Sequence, residues 1–262
     1  MHGNLGKVIL VGAGPGDPGL ITVRGAECLA AADLVLYDYL VNPAVLDHAS
    51  AAAERVCLGH PHGGRGMQQA EVNARMIDAA RQGRIVVRLK SGDPNLFGRG
   101  AEEAEALTAA GIPYEMVPGV TAALAAASHA GIPITHREFA SAVALITGHQ
   151  RCDKSPPDMD YDALARFPGT LVFYMGMTTS RQWSEALLRG GRSPQTPVAI
   201  VRRASWPDQE TFHCTLSDVA DVIERRPIRP PAVIIVGEAV SVRLGSLPGA
   251  DGADGPQRQG ES

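Results

Sequence analysis

Residues 85–100 read Ile85-Val86-Val87-Arg88-Leu89-Lys90-Ser91-Gly92-Asp93-Pro94-Asn95-Leu96-Phe97-Gly98-Arg99-Gly100. The apolar run 85–89 predicts a short buried strand. It breaks into a Gly/Pro loop carrying Asp93, and the pattern restarts as a helix over 101–110. A strand end, a glycine that permits unusual φ or close backbone approach, and a carboxylate together point to a small-molecule site on an α/β scaffold. Alone, the same residues also suit a turn in which Asp93 caps the next helix. The rest of the chain decides between the two.

The chain has 262 residues, 45% of them hydrophobic and 20% charged. It can bury a sizeable core and accommodates one large domain or two of about 130 residues. The net charge of −4 gives no global attraction to nucleic acid or to an anionic membrane surface. An acidic ligand must therefore meet a local cluster of Arg, Lys and His. Cys28, Cys57, Cys152 and Cys214 are scattered without a CxxC pair, so they read as reduced thiols of a cytoplasmic protein. The fragment Cys57-Leu58-Gly59-His60-Pro61-His62 lacks a second half, and no metal site is expected. No apolar stretch reaches the ~20 residues needed to span a bilayer.

Working outward, 7–13 (KVILVGA), 34–37, 54–58 and 113–117 read as further strands. Helices are expected over about 20–32, 43–49, 69–83 and 121–131. The pattern then resets, with strands at 142–148, 170–175, 196–202, 210–214 and 232–238, and helices at 178–191 and 216–226. Segments 59–69 and 149–160 read as polar loops, and 246–262 as a disordered tail. Two successive α/β domains, 1–120 and 121–245, fit better than one barrel. Gly14, Gly16 and Gly19 satisfy GxGxxG after a strand, with Asp38 beyond a second one. That admits a nicotinamide oxidoreductase, yet Pro15 and Pro18 each remove an amide N–H that a pyrophosphate cradle needs.

Several blocks coincide in one order: VGAGPGDPGLIT (11–22), LYDYLV (36–41), RLKSGDPNLFGRG (88–100), VPGVTAALAAAS (117–128), GIPITHR (131–137), TGH (147–149), YMGM (174–177) and PAVIIVGE (231–238). The set resembles the tetrapyrrole methylases over about residues 5–245, and within them most nearly the uroporphyrinogen-III C-methyltransferases. The resemblance implies two α/β domains, each a mixed sheet flanked by helices, with S-adenosylmethionine in the interdomain cleft and usually a homodimer. It implies methylation of uroporphyrinogen III at two pyrrole carbons, by way of precorrin-1 to precorrin-2, on the sirohaem or cobalamin branch. A related precorrin methylase with a divergent substrate and a non-catalytic tetrapyrrole carrier are the rival readings. No attached sirohaem-type dehydrogenase/chelatase module is expected.

Carried over by position, the cofactor contacts are Pro15, Ser91, Gly92, Asp93, Leu96, Thr121, Ala122, Met175 and Ala204. Asp38 corresponds to the family's proposed proton acceptor. Eight substrate carboxylates call for basic partners, foremost Arg65, Arg99, His136 and Arg137, in a wider set that includes Arg24, His62, Lys90, His149, Arg151, Arg202 and Arg203. Arg65 stands where the family has histidine, which keeps a basic group, and two further positions depart from the family pattern. His60 stands where the family has a lysine proposed as proton donor, and histidine can still donate a proton. Ser91 stands where a second glycine is usual; a positive φ there would cost about 1–2 kcal/mol.

Overall fold

The computed structural model describes residues 5–59, 66–149, 159–226, 228–242 and 244. His60, His62, Arg65, Arg151 and the 246–262 tail lie outside the described residues. The chain divides into two compact units, the first ending at Ala122 and the second starting at Ala123.

The first unit is a five-stranded sheet built from β1 (Lys7–Gly12), β2 (Leu34–Tyr37), β3 (Glu54–Cys57), β4 (Ile85–Lys90) and β5 (Tyr114–Val117), in the order β3-β2-β4-β1-β5. Every pairing in it is parallel, which corrects the expectation of two mixed sheets. The reason lies in the connections: helices α1 (Val23–Ala30), α2 (Gln69–Arg81) and α3 (Gly100–Ala109) supply the crossovers that parallel neighbours require. Helices on both faces also explain the near-continuous apolar runs of β1 and β4. One face packs Ile9, Val11, Val87 and Leu89 against Cys28 and Leu29 of α1. The other packs Val8, Leu10 and Val86 against Met76 of α2 and Leu107 of α3.

The second unit holds α4 (Ala122–His129, whose first residue closes the first unit), α5 (Tyr161–Ala165), α6 (Ser180–Arg189) and α7 (Val219–Arg225). Its strands are β6 (Val143–Thr147), β7 (Thr170–Tyr174), β8 (Pro197–Arg202), β9 (Glu210–Thr215) and β10 (Ala232–Val236), in the order β6-β7-β10-β8-β9. Only β6–β7 is parallel and the remaining pairs are antiparallel, so this sheet is mixed. Its core centres on Phe173 stacked on Trp183 at 4.3 Å between ring centroids, with Leu187, Ile200 and Ile234 around them.

Two helix expectations change. Segment 43–49 is a 3-10 turn, Pro43–His48, started by Asn42, whose side chain accepts from the Ala44 amide. Segment 20–32 splits into a 3-10 turn, Pro18–Leu20, and α1, because Thr22 caps α1 by accepting from the Gly25 amide at 3.0 Å. Helix α5 lies in a stretch given no element from sequence. Among the described residues, no helix is long and apolar enough to cross a membrane.

Candidate active site

Strands β1 and β4 are neighbours, yet β1 runs on into α1 on one face and β4 into α3 on the other. Such a reversal opens a crevice beyond the carboxyl ends of the strands, where open α/β sheets take their ligands. Pro15 lies beyond β1, Ser91, Gly92, Asp93 and Leu96 beyond β4, and Thr121 and Ala122 beyond β5. The structure therefore brings these seven together at one edge of the first sheet.

The loops there touch backbone to backbone. Gly14 and Gly92 exchange two hydrogen bonds, 3.3 Å from the Gly14 amide and 2.8 Å from the Gly92 amide. A Cβ on Gly119 would stand 2.2 Å from the Gly92 carbonyl oxygen, and one on Gly12 would stand 2.6 Å from it. Gly92 has φ +69 and suits no other residue well, whereas Ser91 is not among the residues with positive φ. The strain posed for Ser91 does not arise.

Asp93 closes this loop. One carboxylate oxygen accepts from the Asn95 amide at 2.8 Å and the other from the Gly119 amide at 3.0 Å. Both oxygens thus serve backbone, and the Asp93 carboxylate fixes the loop after β4 to the loop after β5. The donor set suits a cofactor with a polar edge, since carbonyls and amides of three adjoining loops converge there. It does not suit a pyrophosphate on a helix N-terminus. Alpha helix α1 begins only at Val23, the Gly16 carbonyl already accepts from Asn42 at 2.7 Å, and the Asp17 side chain caps the 3-10 turn. That removes the dinucleotide reading of GPGDPG.

Asp38 follows β2 on the same edge and is one-third exposed. Its Oδ1 accepts a short hydrogen bond from Arg88 Nη2, and its Oδ2 lies 3.7 Å from Lys90 Nζ. Arg88 and Lys90 alternate with Val87 and Leu89, so they point to the α2/α3 face, where both are almost fully buried. Glu103 of α3, with no exposed surface, meets them: Oε1 accepts from Arg88 Nε at 3.0 Å, Lys90 Nζ at 3.1 Å and Gln69 Nε2 at 3.1 Å. The Arg88 Nη1 group is held by the Leu36 and Leu89 carbonyls. Burial, then Arg88 beside it, push the Lys90 ammonium below the usual lysine range, against the opposite pull of Asp38 and Glu103. Lys90, expected as a substrate ligand, is instead an internal counter-charge.

Other expected partners scatter. Arg99 is the left-handed residue (φ 60) before α3 and pairs with Glu102 in the next turn. His136 sits in a tight turn, where its Nδ1 accepts from the Glu138 amide and its ring stacks on Phe139, and Arg137 is exposed beside it. Arg24 pairs with Glu115, and Arg202 and Arg203 pair with Glu210 and Asp208. In the second unit, Met175 and Ala204 follow β7 and β8, whose ends lie side by side across β10. Met175 is half exposed with φ 52, and Ala204 is buried between left-handed Arg203 and Ser205. Sequence reasoning missed Glu103; two basic residues at i and i+2 of a strand covered on both faces were the available signal.

Residues 7–220 match the family model for tetrapyrrole (corrin/porphyrin) methylases. A protein of Methanosarcina barkeri described as an S-adenosyl-L-methionine-dependent uroporphyrinogen III methyltransferase is 44% identical over 240 residues, covering 92% of this chain and 94% of that one. The Zymomonas mobilis siroheme synthase is 48% identical over 233 residues, 89% of this chain, which spans only 49% of that protein. The crystal structure of a Thermus thermophilus uroporphyrin-III C-methyl transferase complexed with S-adenyl homocysteine superposes with a TM-score of 0.77 at 41% identity, covering 90% of this chain and 99% of that one.

Proposed function

The chain belongs to the tetrapyrrole methylases, and we propose that within this family Asp38 is the proton acceptor of its reaction. The protein is an S-adenosylmethionine-dependent methyltransferase acting on uroporphyrinogen III. S-adenosylmethionine supplies a methyl group carried on a sulfonium, which departs in an in-line displacement. The protein's part is to hold donor and pyrrole carbon in near-attack geometry, exclude water and accept the proton that the carbon gives up. The observation that carries the reading is Asp38 itself. Its carboxylate is fixed by Arg88 from within, stays one-third open outward, and lies on the sheet edge of the cofactor loops.

Pro15, Ser91, Gly92, Leu96, Thr121 and Ala122 hold the cofactor, many through backbone, with Asp93 shaping their loops. The family pattern adds Met175 and Ala204 to that set. Arg65, Arg99, His136 and Arg137 take substrate carboxylates, and His60 returns a proton in place of a lysine. The two methylations pass through precorrin-1 to precorrin-2, in a cytoplasmic homodimer. His60 and Arg65 enter on the family pattern alone.

Turnover of uroporphyrinogen III with labelled methyl donor, read by product mass, tests the reading. Asp38→Asn is expected to lose at least about 100-fold in kcat, with S-adenosylhomocysteine affinity within about twofold by calorimetry. Undiminished turnover would remove Asp38 from the mechanism. Turnover of a later precorrin but not of uroporphyrinogen III would overturn the substrate.

A further inference from the structure

We propose that Glu103, closed to solvent on α3, is a positioning residue for the reaction, setting the charge balance that Asp38 experiences by taking up Arg88 and Lys90. The inference rests on the reading of Asp38 as proton acceptor. Two carboxylates share one guanidinium: Glu103 takes Nε and Asp38 takes Nη2. The Lys90 ammonium lies between the same two groups, 3.1 Å from Glu103 and 3.7 Å from Asp38. Among the described residues, Arg88 and Lys90 are the charged groups in contact with Asp38, and Glu103 is the anion behind them. From α2 the contact is the neutral Gln69. Formal charges across the four ionic groups cancel.

A framework role alone explains this arrangement poorly. Burying charges is unfavourable relative to apolar packing, and Val86 shows that the same face of β4 accepts an apolar side chain. Glu103 Oε2 is also buried without a hydrogen-bond partner among the described residues, a desolvation cost with no local return. The network opens to solvent at Asp38, one-third exposed, while Arg88, Lys90 and Glu103 are sealed. What the buried members can do for function is fix the Asp38 carboxylate and set how strongly it binds a proton. With Glu103 present, one anion offsets the two cations. Without it, both cations act on Asp38 alone, and the carboxylate becomes a weaker base.

Two single variants then move the pH profile of kcat in opposite directions. Glu103→Gln shifts the acid limb down by about one pH unit and lowers the plateau by up to about tenfold. The Lys90 ammonium, already pushed down by burial, loses one of its anions too, so any alkaline limb it governs also moves down. Lys90→Met removes a cation and shifts the acid limb up. The double variant restores the balance and returns the limb toward its starting position. S-adenosylhomocysteine affinity within about twofold shows that each protein is folded. A purely structural Glu103 would lower kcat equally at every pH, and the double variant would be worse than either single; that result overturns the proposal. Should Glu103→Gln fail to fold, the upward shift in Lys90→Met decides, and its absence is fatal. Asp38→Asn run alongside separates the failures: an active Asp38→Asn defeats the proton-acceptor reading, whereas an inactive one with unmoved limbs defeats only the role of Glu103.

Discussion

The two sheets are cores of similar size with opposite policies on charge. Inside the first, Arg88, Lys90 and Glu103 are sealed between β4 and α3 and meet solvent through Asp38. Inside the second, the buried polar residues among those described are the hydroxyl-bearing Thr170, Ser180, Ser184, Thr196 and Ser205, and the core centres on apolar Phe173, Trp183 and Leu187. Its ion pairs, such as Arg181 with Asp221 and Glu224, stay outside. A domain that only has to fold has no need for buried ions, because apolar packing of equal volume is as stable or more so. On the reading of Asp38 as proton acceptor, the internal charge of the first unit marks where chemistry is set up.

Paired substitutions test that division most severely. Arg88→Met leaves Glu103 and Asp38 facing Lys90 alone. It is expected to lose about 3–5 kcal/mol of stability and at least about 100-fold in kcat in whatever protein remains folded. Leu187→Ala in α6 opens a cavity in the apolar core and is expected to cost about 2–5 kcal/mol, with kcat per folded molecule near that of the parent. Chemical denaturation with active-site titration measures both. If Leu187→Ala lowers kcat as much as Arg88→Met does, the separation of labour fails.

A smaller effect is expected where the first sheet's loops meet. Gly119→Ala forces a methyl group to 2.2 Å from the Gly92 carbonyl and against Gly12, and neither backbone can yield without parting the Gly14–Gly92 bridge. The expected result is about 1–3 kcal/mol of stability lost by overpacking and about tenfold weaker binding of S-adenosylhomocysteine. Intact affinity by calorimetry would mean that the loops do not shape the cofactor site.

How much of this was legible follows from which residues repeat and which pair. The strand positions stood out because apolar β-branched runs such as Val8–Val11 and Ile85–Val87 have few other readings. The direction of those strands did not, since a parallel ladder is settled by crossovers and not by the strand's own residues. Asp38 and the Ser91-Gly92-Asp93 loop could be singled out as features of short, ordered blocks. Glu103 could not, because Glu102 and Glu103 are adjacent and look alike, yet only Glu103 shares a helix face with Leu107 four residues on. Nor could Lys90, which reads as a surface base until β4 is known to lie between β2 and β1. Asp93 was legible as a site residue but not as a clasp, because its partner Gly119 is supplied by the fold.

The smallest expected effect comes from the second unit's surface. Arg181 donates to Asp221 at 2.8 Å and to Glu224 at 2.8 Å, linking α6 to α7 with all three side chains about half exposed. The guanidinium holds the Asp221 carboxyl below its ordinary range, first by hydrogen bonding. A depressed carboxylate stabilises the folded state above the unfolded value, about 4, and loses that contribution as pH falls through the lowered one. Solvent screens so exposed a pair, so Arg181→Ala is expected to move Tm by no more than about 2 °C at neutral pH and by less in acid or high salt. A drop comparable to that of Leu187→Ala, persisting in high salt, would mean that the second unit also depends on its charges, and the contrast between the two sheets would lose its basis.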